Sequence, residues 1–173
     1  MNLIVGSPTW LVIILIAAIA AAAIEDAVRL RISNITCAVV LMAALVPMAF
    51  HGFPLALWQN LVVFVAILAI GTAIFAAGKM GGGDVKLLAC IGLWMNLSAA
   101  AWLVASTLIA GGLLAIAFIA TRPLRRDSVR GRPASKNIPY GLAIAAGACL
   151  VFAGQLGLMA SRPAAPDPYA IVR

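Results

Sequence analysis

Apolar residues run along this chain in long blocks rather than in alternation, and the breaks between blocks are charged or rich in Gly and Pro. A first block covers about residues 8–24 and stops at Glu25-Asp26. A second covers about 35–50 and ends at His51-Gly52-Phe53-Pro54, and a third covers about 57–77. A polar, glycine-dense stretch follows, from Gly78 through Gly81-Gly82-Gly83-Asp84-Val85-Lys86. Residues 87–120 are then apolar for 34 positions, relieved only mildly at Asn96 and Ser98. One helix of that length would rise about 50 Å, against a hydrocarbon core about 30 Å thick. The stretch is therefore expected to divide into a short segment, 87–95, and a full one, 98–120. The last block covers about 138–158 and leads into a Pro-rich tail, 159–173.

Composition gives these blocks their setting. Of 173 residues 65% are hydrophobic and only 10% charged, whereas a soluble domain is roughly 45–50% apolar and about 25% charged. The mean hydropathy is +1.12. So much apolar surface cannot be hidden from water in a fold this small. The expectation is an all-α, polytopic membrane protein, a single membrane-embedded domain of about six transmembrane helices in the lipid bilayer. A cleaved signal peptide fits poorly, because the first ten residues hold no Lys or Arg.

Twelve Lys and Arg against five Asp and Glu give a net charge of +7. Ten of those cations fall in three segments, 25–34, 78–86 and the basic loop 121–137. Six crossings put all three segments on one side of the membrane. Reading 87–120 as one crossing would put the last of them on the opposite side. The positive-inside rule selects six, with both termini outside and the charged loops in the cytoplasm. The excess charge thus reads as a record of orientation, and no nucleic-acid partner is expected, since no stacking platform lies beside it.

Cys37, Cys90 and Cys149 lie far apart within apolar runs and form no C-x-x-C spacing, so no metal site and no cofactor is expected. Asp127 sits among arginines and Asp167 between prolines in the tail. Asp26 and Asp84 differ from these, because the topology brings both to the cytoplasmic edge of the bundle. An acid beside a glycine-rich break at membrane depth is a functional candidate. Two carboxylates on one cavity suggest aspartyl proteolysis, in which one takes a proton from an attacking water and the other donates to the developing oxyanion. A phosphate cradle needs Gly-Lys-Ser/Thr, and Gly83-Asp84-Val85-Lys86 puts an anion where the phosphate would sit.

At these residues the chain resembles the prepilin peptidases, G-x-G-D membrane aspartyl proteases that trim type IV pilin-like precursors. Residues 81–89, Gly-Gly-Gly-Asp-Val-Lys-Leu-Leu-Ala, are similar to the family's G-x-G-D-x-K motif. Residues 26–34, Asp-Ala-Val-Arg-Leu-Arg-Ile-Ser-Asn, resemble its first motif, an Asp followed by basic residues and usually Ile-Pro-Asn; Ser33 stands where Pro is usual. Pro139-Tyr140-Gly141 resembles the Pro-Tyr/Phe-Gly segment that opens the family's last helix.

The resemblance implies that Asp26 and Asp84 are the catalytic aspartates, with Gly81, Gly83, Lys86, Asn34, Pro139 and Gly141 as supporting motif positions. It implies a prepilin substrate with a short basic leader, cut on the cytoplasmic face of the bacterial inner membrane. The paired C-x-x-C motifs of the larger, methylating members are not in this chain, which resembles the compact peptidases of tight-adherence (Flp-type) pili. A preflagellin peptidase or another G-x-G-D intramembrane protease is an alternative enzyme reading. A small proton-coupled transporter or a pilus assembly scaffold is the non-enzyme alternative.

Overall fold

The computed structural model describes residues 2–50, 57–121 and 140–160. His51, Pro139, the basic segment 122–137 with Asp127, and the tail from 161 with Asp167 lie outside the described residues. The described residues form helices joined by short turns: α1 (Leu3–Gly6), α2 (Thr9–Arg29), α3 (Asn34–Phe50), α4 (Trp58–Ala76), α5 (Gly82–Gly92), α6 (Leu97–Ala120) and α7 (Tyr140–Ala160). Three of them, α2, α4 and α6, are long and apolar enough to cross a bilayer, while α3 and the Tyr140–Gln155 part of α7 form shorter apolar stretches. The chain folds as an all-helical membrane bundle.

The faces differ as expected with lipid as the solvent. On α4 and α6 large apolar side chains such as Leu61, Val65, Leu108 and Ile116 stand exposed. A helix apolar all round suits hydrocarbon and not water. On α2 the buried positions Leu11, Leu15, Ala18, Ile19, Ala22, Ala23 and Asp26 repeat at three- and four-residue intervals, so Asp26 continues the inward stripe. Helix α2 packs against α3 and α7, and α5 packs against α3, α4 and α7. Small residues allow the closest of these approaches. A Cβ on Gly71 of α4 would lie 2.5 Å from Val85 Cγ1, and one on Gly92 of α5 would lie 2.7 Å from Ile67 Cδ1.

The 34-residue apolar stretch bends at residues 93–96, between α5 and α6, and this bend is packed into the core: Leu93, Trp94 and Met95 are all buried. Helix α5 has 11 residues, a rise of about 16 Å, or about half a hydrocarbon core. A helix ending inside the bundle leaves carbonyls without helical partners, which is costly away from water. Two groups meet that need here. Asn60 of α4 donates its Nδ2 to the Leu93 carbonyl at 2.9 Å, and the Leu3 backbone N–H reaches the Trp94 carbonyl at 2.9 Å. The Trp94 indole in turn donates to the Val40 carbonyl of α3 at 3.2 Å.

Helix α5 begins at Gly82, ahead of the apolar segment that starts at 87, so Asp84 lies within its first turn. Gly81 is the extended N-cap residue, and Asp84, at the third helical position, accepts a backbone hydrogen bond from it. Helix propensity penalises Gly in helix interiors. At a first turn set hard against neighbours, the space a missing side chain leaves decides instead.

Candidate active site

Four helix ends meet at one end of the bundle: the C-terminus of α2 and the N-termini of α3, α5 and α7. Contacts between them are direct. The backbone N–H of Gly141 in α7 donates to Asp26 Oδ2 at 2.6 Å. Lys86 Nζ of α5 donates to Asn34 Oδ1 of α3 at 3.0 Å. A Cβ on Gly83 would lie 3.0 Å from Ile32 Cβ and 3.2 Å from the Ile32 carbonyl. The segments around 26–34 and 81–86, separated in sequence, form one cluster.

Asp26 and Asp84 are both buried, at 5% and 7% exposure, and are close enough that the charge of Asp26 acts on Asp84. Each carboxylate lies at a helix N-terminus, where free N–H groups and the helix dipole favour negative charge. Asp26 meets the first turn of α7 through Gly141, and Asp84 sits in the first turn of its own helix. The glycines are matched to the acids. A Cβ on Gly141 would lie 2.8 Å from Asp26 Cβ, and one on Gly81 would lie 2.6 Å from Asp84 Oδ2.

Asp84 Oδ1 is buried without a hydrogen-bond partner among the described residues. A buried carboxylate oxygen with free lone pairs is costly to keep and is the kind of group that chemistry employs. Among the described residues no three His, Cys, Asp or Glu side chains converge as a metal site would require.

Most of the positions singled out in the sequence therefore gather here: Asp26, Asp84, Gly81, Gly83, Lys86, Asn34 and Gly141. Pro139 lies outside the described residues. The structure adds neighbours that sequence reasoning assigned elsewhere. Cys37, which the sequence places only within an apolar run, is buried on α3 with its Sγ 3.9 Å from the Gly83 carbonyl. Ile32 forms a wall against Gly83. Glu25, which ended the first apolar block, accepts hydrogen bonds from the Ser33 backbone N–H at 2.9 Å and the Thr36 hydroxyl at 3.1 Å. Ser33, standing just before an apolar block, is a helix-start signal that could have pointed to an N-cap there.

Compared with known protein families, the chain matches the model of the type IV leader peptidase family over residues 13–119, well over half its length. That range contains Asp26 and Asp84 and stops short of Gly141. No curated protein and no solved structure matches significantly.

Proposed function

Because the chain belongs to the type IV leader peptidase family, whose members are proteases, we propose that it is an aspartyl endopeptidase that removes the short N-terminal leader of an Flp-type prepilin. The observation that carries the aspartyl chemistry is the approach of two buried carboxylates, Asp26 and Asp84, from different helices. Two such groups at one site cannot readily ionise together, so they share a proton. The ionised partner takes a proton from water as that water attacks the scissile carbonyl. The protonated partner donates a hydrogen bond to the oxyanion, and the proton taken from water passes to the leaving amine. The Gly141 N–H fixes Asp26, while the free Oδ1 of Asp84 is the atom suited to hold the water. No covalent intermediate on the enzyme is required.

On the positive-inside rule the cation-bearing segments lie in the cytoplasm, so the dyad belongs at the cytoplasmic face of the bacterial inner membrane, where the basic leader of a prepilin lies. The substrate's hydrophobic helix then rests in the bilayer beside the bundle. Supporting this, the Asp26 and Asp84 segments, two of the cation-bearing stretches, meet at one end of the bundle.

Co-expression with an Flp-type prepilin tests the reading by the size shift on cleavage. Wild type is expected to process the precursor, and Asp26→Asn and Asp84→Asn to lose processing by at least about a hundredfold. Processing that survives either substitution sinks the dyad. A parallel arm with a preflagellin precursor separates the two substrate classes.

A further inference from the structure

Glu25 precedes Asp26 on α2, but its carboxylate is directed elsewhere. Successive helical residues point about 100° apart, and Glu25 Oε2 is engaged with the start of α3. Ser33 is the N-cap of that helix: its carbonyl accepts the Cys37 N–H at 3.3 Å and its Oγ accepts the Ile35 N–H at 3.1 Å. In a capping box, the side chain at the third helical position reaches back to the N-cap N–H. Here the third position is Thr36, whose hydroxyl instead donates to Glu25 at 3.1 Å, and Glu25 also takes the N-cap N–H at 2.9 Å. The box is completed by a carboxylate from the preceding helix. A negative group at a helix N-terminus is also favoured by the dipole.

The turn closed in this way, residues 30–33, is tight. Leu30 occupies the left-handed region at φ 53° and donates its N–H to the Asp26 carbonyl at 2.9 Å. Ile32, in the same turn, is the residue against which Gly83 is set. Gly83 immediately precedes Asp84, and its carbonyl lies 3.9 Å from Cys37 Sγ. The turn is thus tied to α3 at one end and abuts the second aspartate's segment at the other.

We propose that Glu25 is a positioning residue: by capping α3 from α2 it holds the 30–33 turn as the wall that sets Gly83, and through it Asp84, opposite Asp26. The catalytic consequence rests on the aspartyl-protease reading above; the structural one does not. Glu25 acts as a hydrogen-bond acceptor, so an uncharged acceptor of the same shape serves.

The test uses the full chain in membranes with Glu25→Ala, Glu25→Gln and Thr36→Val. Two quantities are read: kcat and KM for prepilin cleavage, and the rate at which N-ethylmaleimide alkylates Cys37, resolved from Cys90 and Cys149 by peptide mass. Glu25→Ala is expected to lower kcat about tenfold with KM little changed, and to speed Cys37 alkylation about tenfold as the turn opens. Glu25→Gln restores both to within about threefold of wild type. Thr36→Val costs less in the Glu25→Ala background than alone, as expected for partners in one network.

Wild-type kcat and Cys37 protection in Glu25→Ala, or a Glu25→Gln variant as impaired as Glu25→Ala, overturns the proposal. So does a lowered kcat with Cys37 still protected. If the wild type cleaves no prepilin while Cys37 protection follows this order, the protease reading fails and the capping role stands.

Discussion

The backbone N–H of Gly141 reaches Asp26 Oδ2 at 2.6 Å, and a Cβ at Gly141 would lie 2.8 Å from Asp26 Cβ and 2.9 Å from that same oxygen. The close approach of α7 to α2 and the orientation of the first aspartate are therefore one feature. Gly141→Ala must push the carboxylate aside or move the helix, because the obstructing atoms include the rigid Asp26 Cβ. Loss of alignment of about 1 Å can cost about a hundredfold in rate. Overpacking of this kind destabilises by about 1–3 kcal/mol. The expected result is cleavage lowered about a hundredfold in a protein still folded, checked by kcat beside thermal unfolding in detergent. Wild-type turnover in Gly141→Ala contradicts this account of Asp26.

Lys86 and Asn34 are both exposed, and the 3.0 Å bond between them joins α5 to α3 at the outer edge of the site. If Lys86 serves chiefly through Asn34, Lys86→Ala and Asn34→Ala lower cleavage by similar amounts, about threefold, and the double variant loses no more than either alone. Additive losses measured in the same cleavage assay give Lys86 a separate role toward the substrate.

That Asp26 and Asp84 meet at one end of the bundle was legible because charge is scarce in this chain. With five acids in 173 residues, each could be weighed, and the basic loops showed which ends of the helices lie together. The supporting contacts were not legible, for specific reasons. Glu25 looked like the end of an apolar block because its partners, Ser33 and Thr36, are reached only after the chain reverses at Leu30, a non-Gly residue in a left-handed conformation. Local pattern gives no sign of such a reversal. Ser33 illustrates the same limit. Its N–H, which the usual Pro would lack, is the group that bonds Glu25, so the departure from the family pattern is paired with a residue eight positions earlier. The start of α5 at Gly82 was hidden by glycine's low helix propensity, which the close packing of Gly82 on Phe75 and of Gly83 on Ile32 overrides.

Asn60 is fully buried on α4 and donates to the Leu93 carbonyl at the inner end of α5. Asn60→Leu keeps the branched shape and removes the donor, leaving a carbonyl unpaired in a dry interior at a cost of about 1–3 kcal/mol. Unfolding in mixed micelles is expected to show that loss, with residual cleavage in the folded fraction near wild type, since Asn60 lies at the far end of α5 from Asp84. An unchanged unfolding midpoint means that the end of α5 does not depend on this bond.

Gly71 and Val85 set how closely α4 and α5 approach beside the second aspartate. A Cβ at Gly71 would lie 2.5 Å from Val85 Cγ1 and 3.2 Å from Cγ2. Val85 is buried and follows Asp84 directly, so a displacement of its side chain moves the first turn of α5. Gly71→Ala is therefore expected to lower stability by about 1–3 kcal/mol and to reduce cleavage as well. Because the clash is with the two methyl groups of one side chain, removing them should relieve it. Val85→Ala alone opens a small cavity and costs stability by itself. The Gly71→Ala/Val85→Ala double variant is expected to be more active and more stable than Gly71→Ala. The cycle of four proteins, followed by unfolding midpoint and by kcat, distinguishes this from a general intolerance of α4. If Val85→Ala worsens Gly71→Ala instead of relieving it, the contact does not set the helix spacing, and α5 must be held in place from its α3 side.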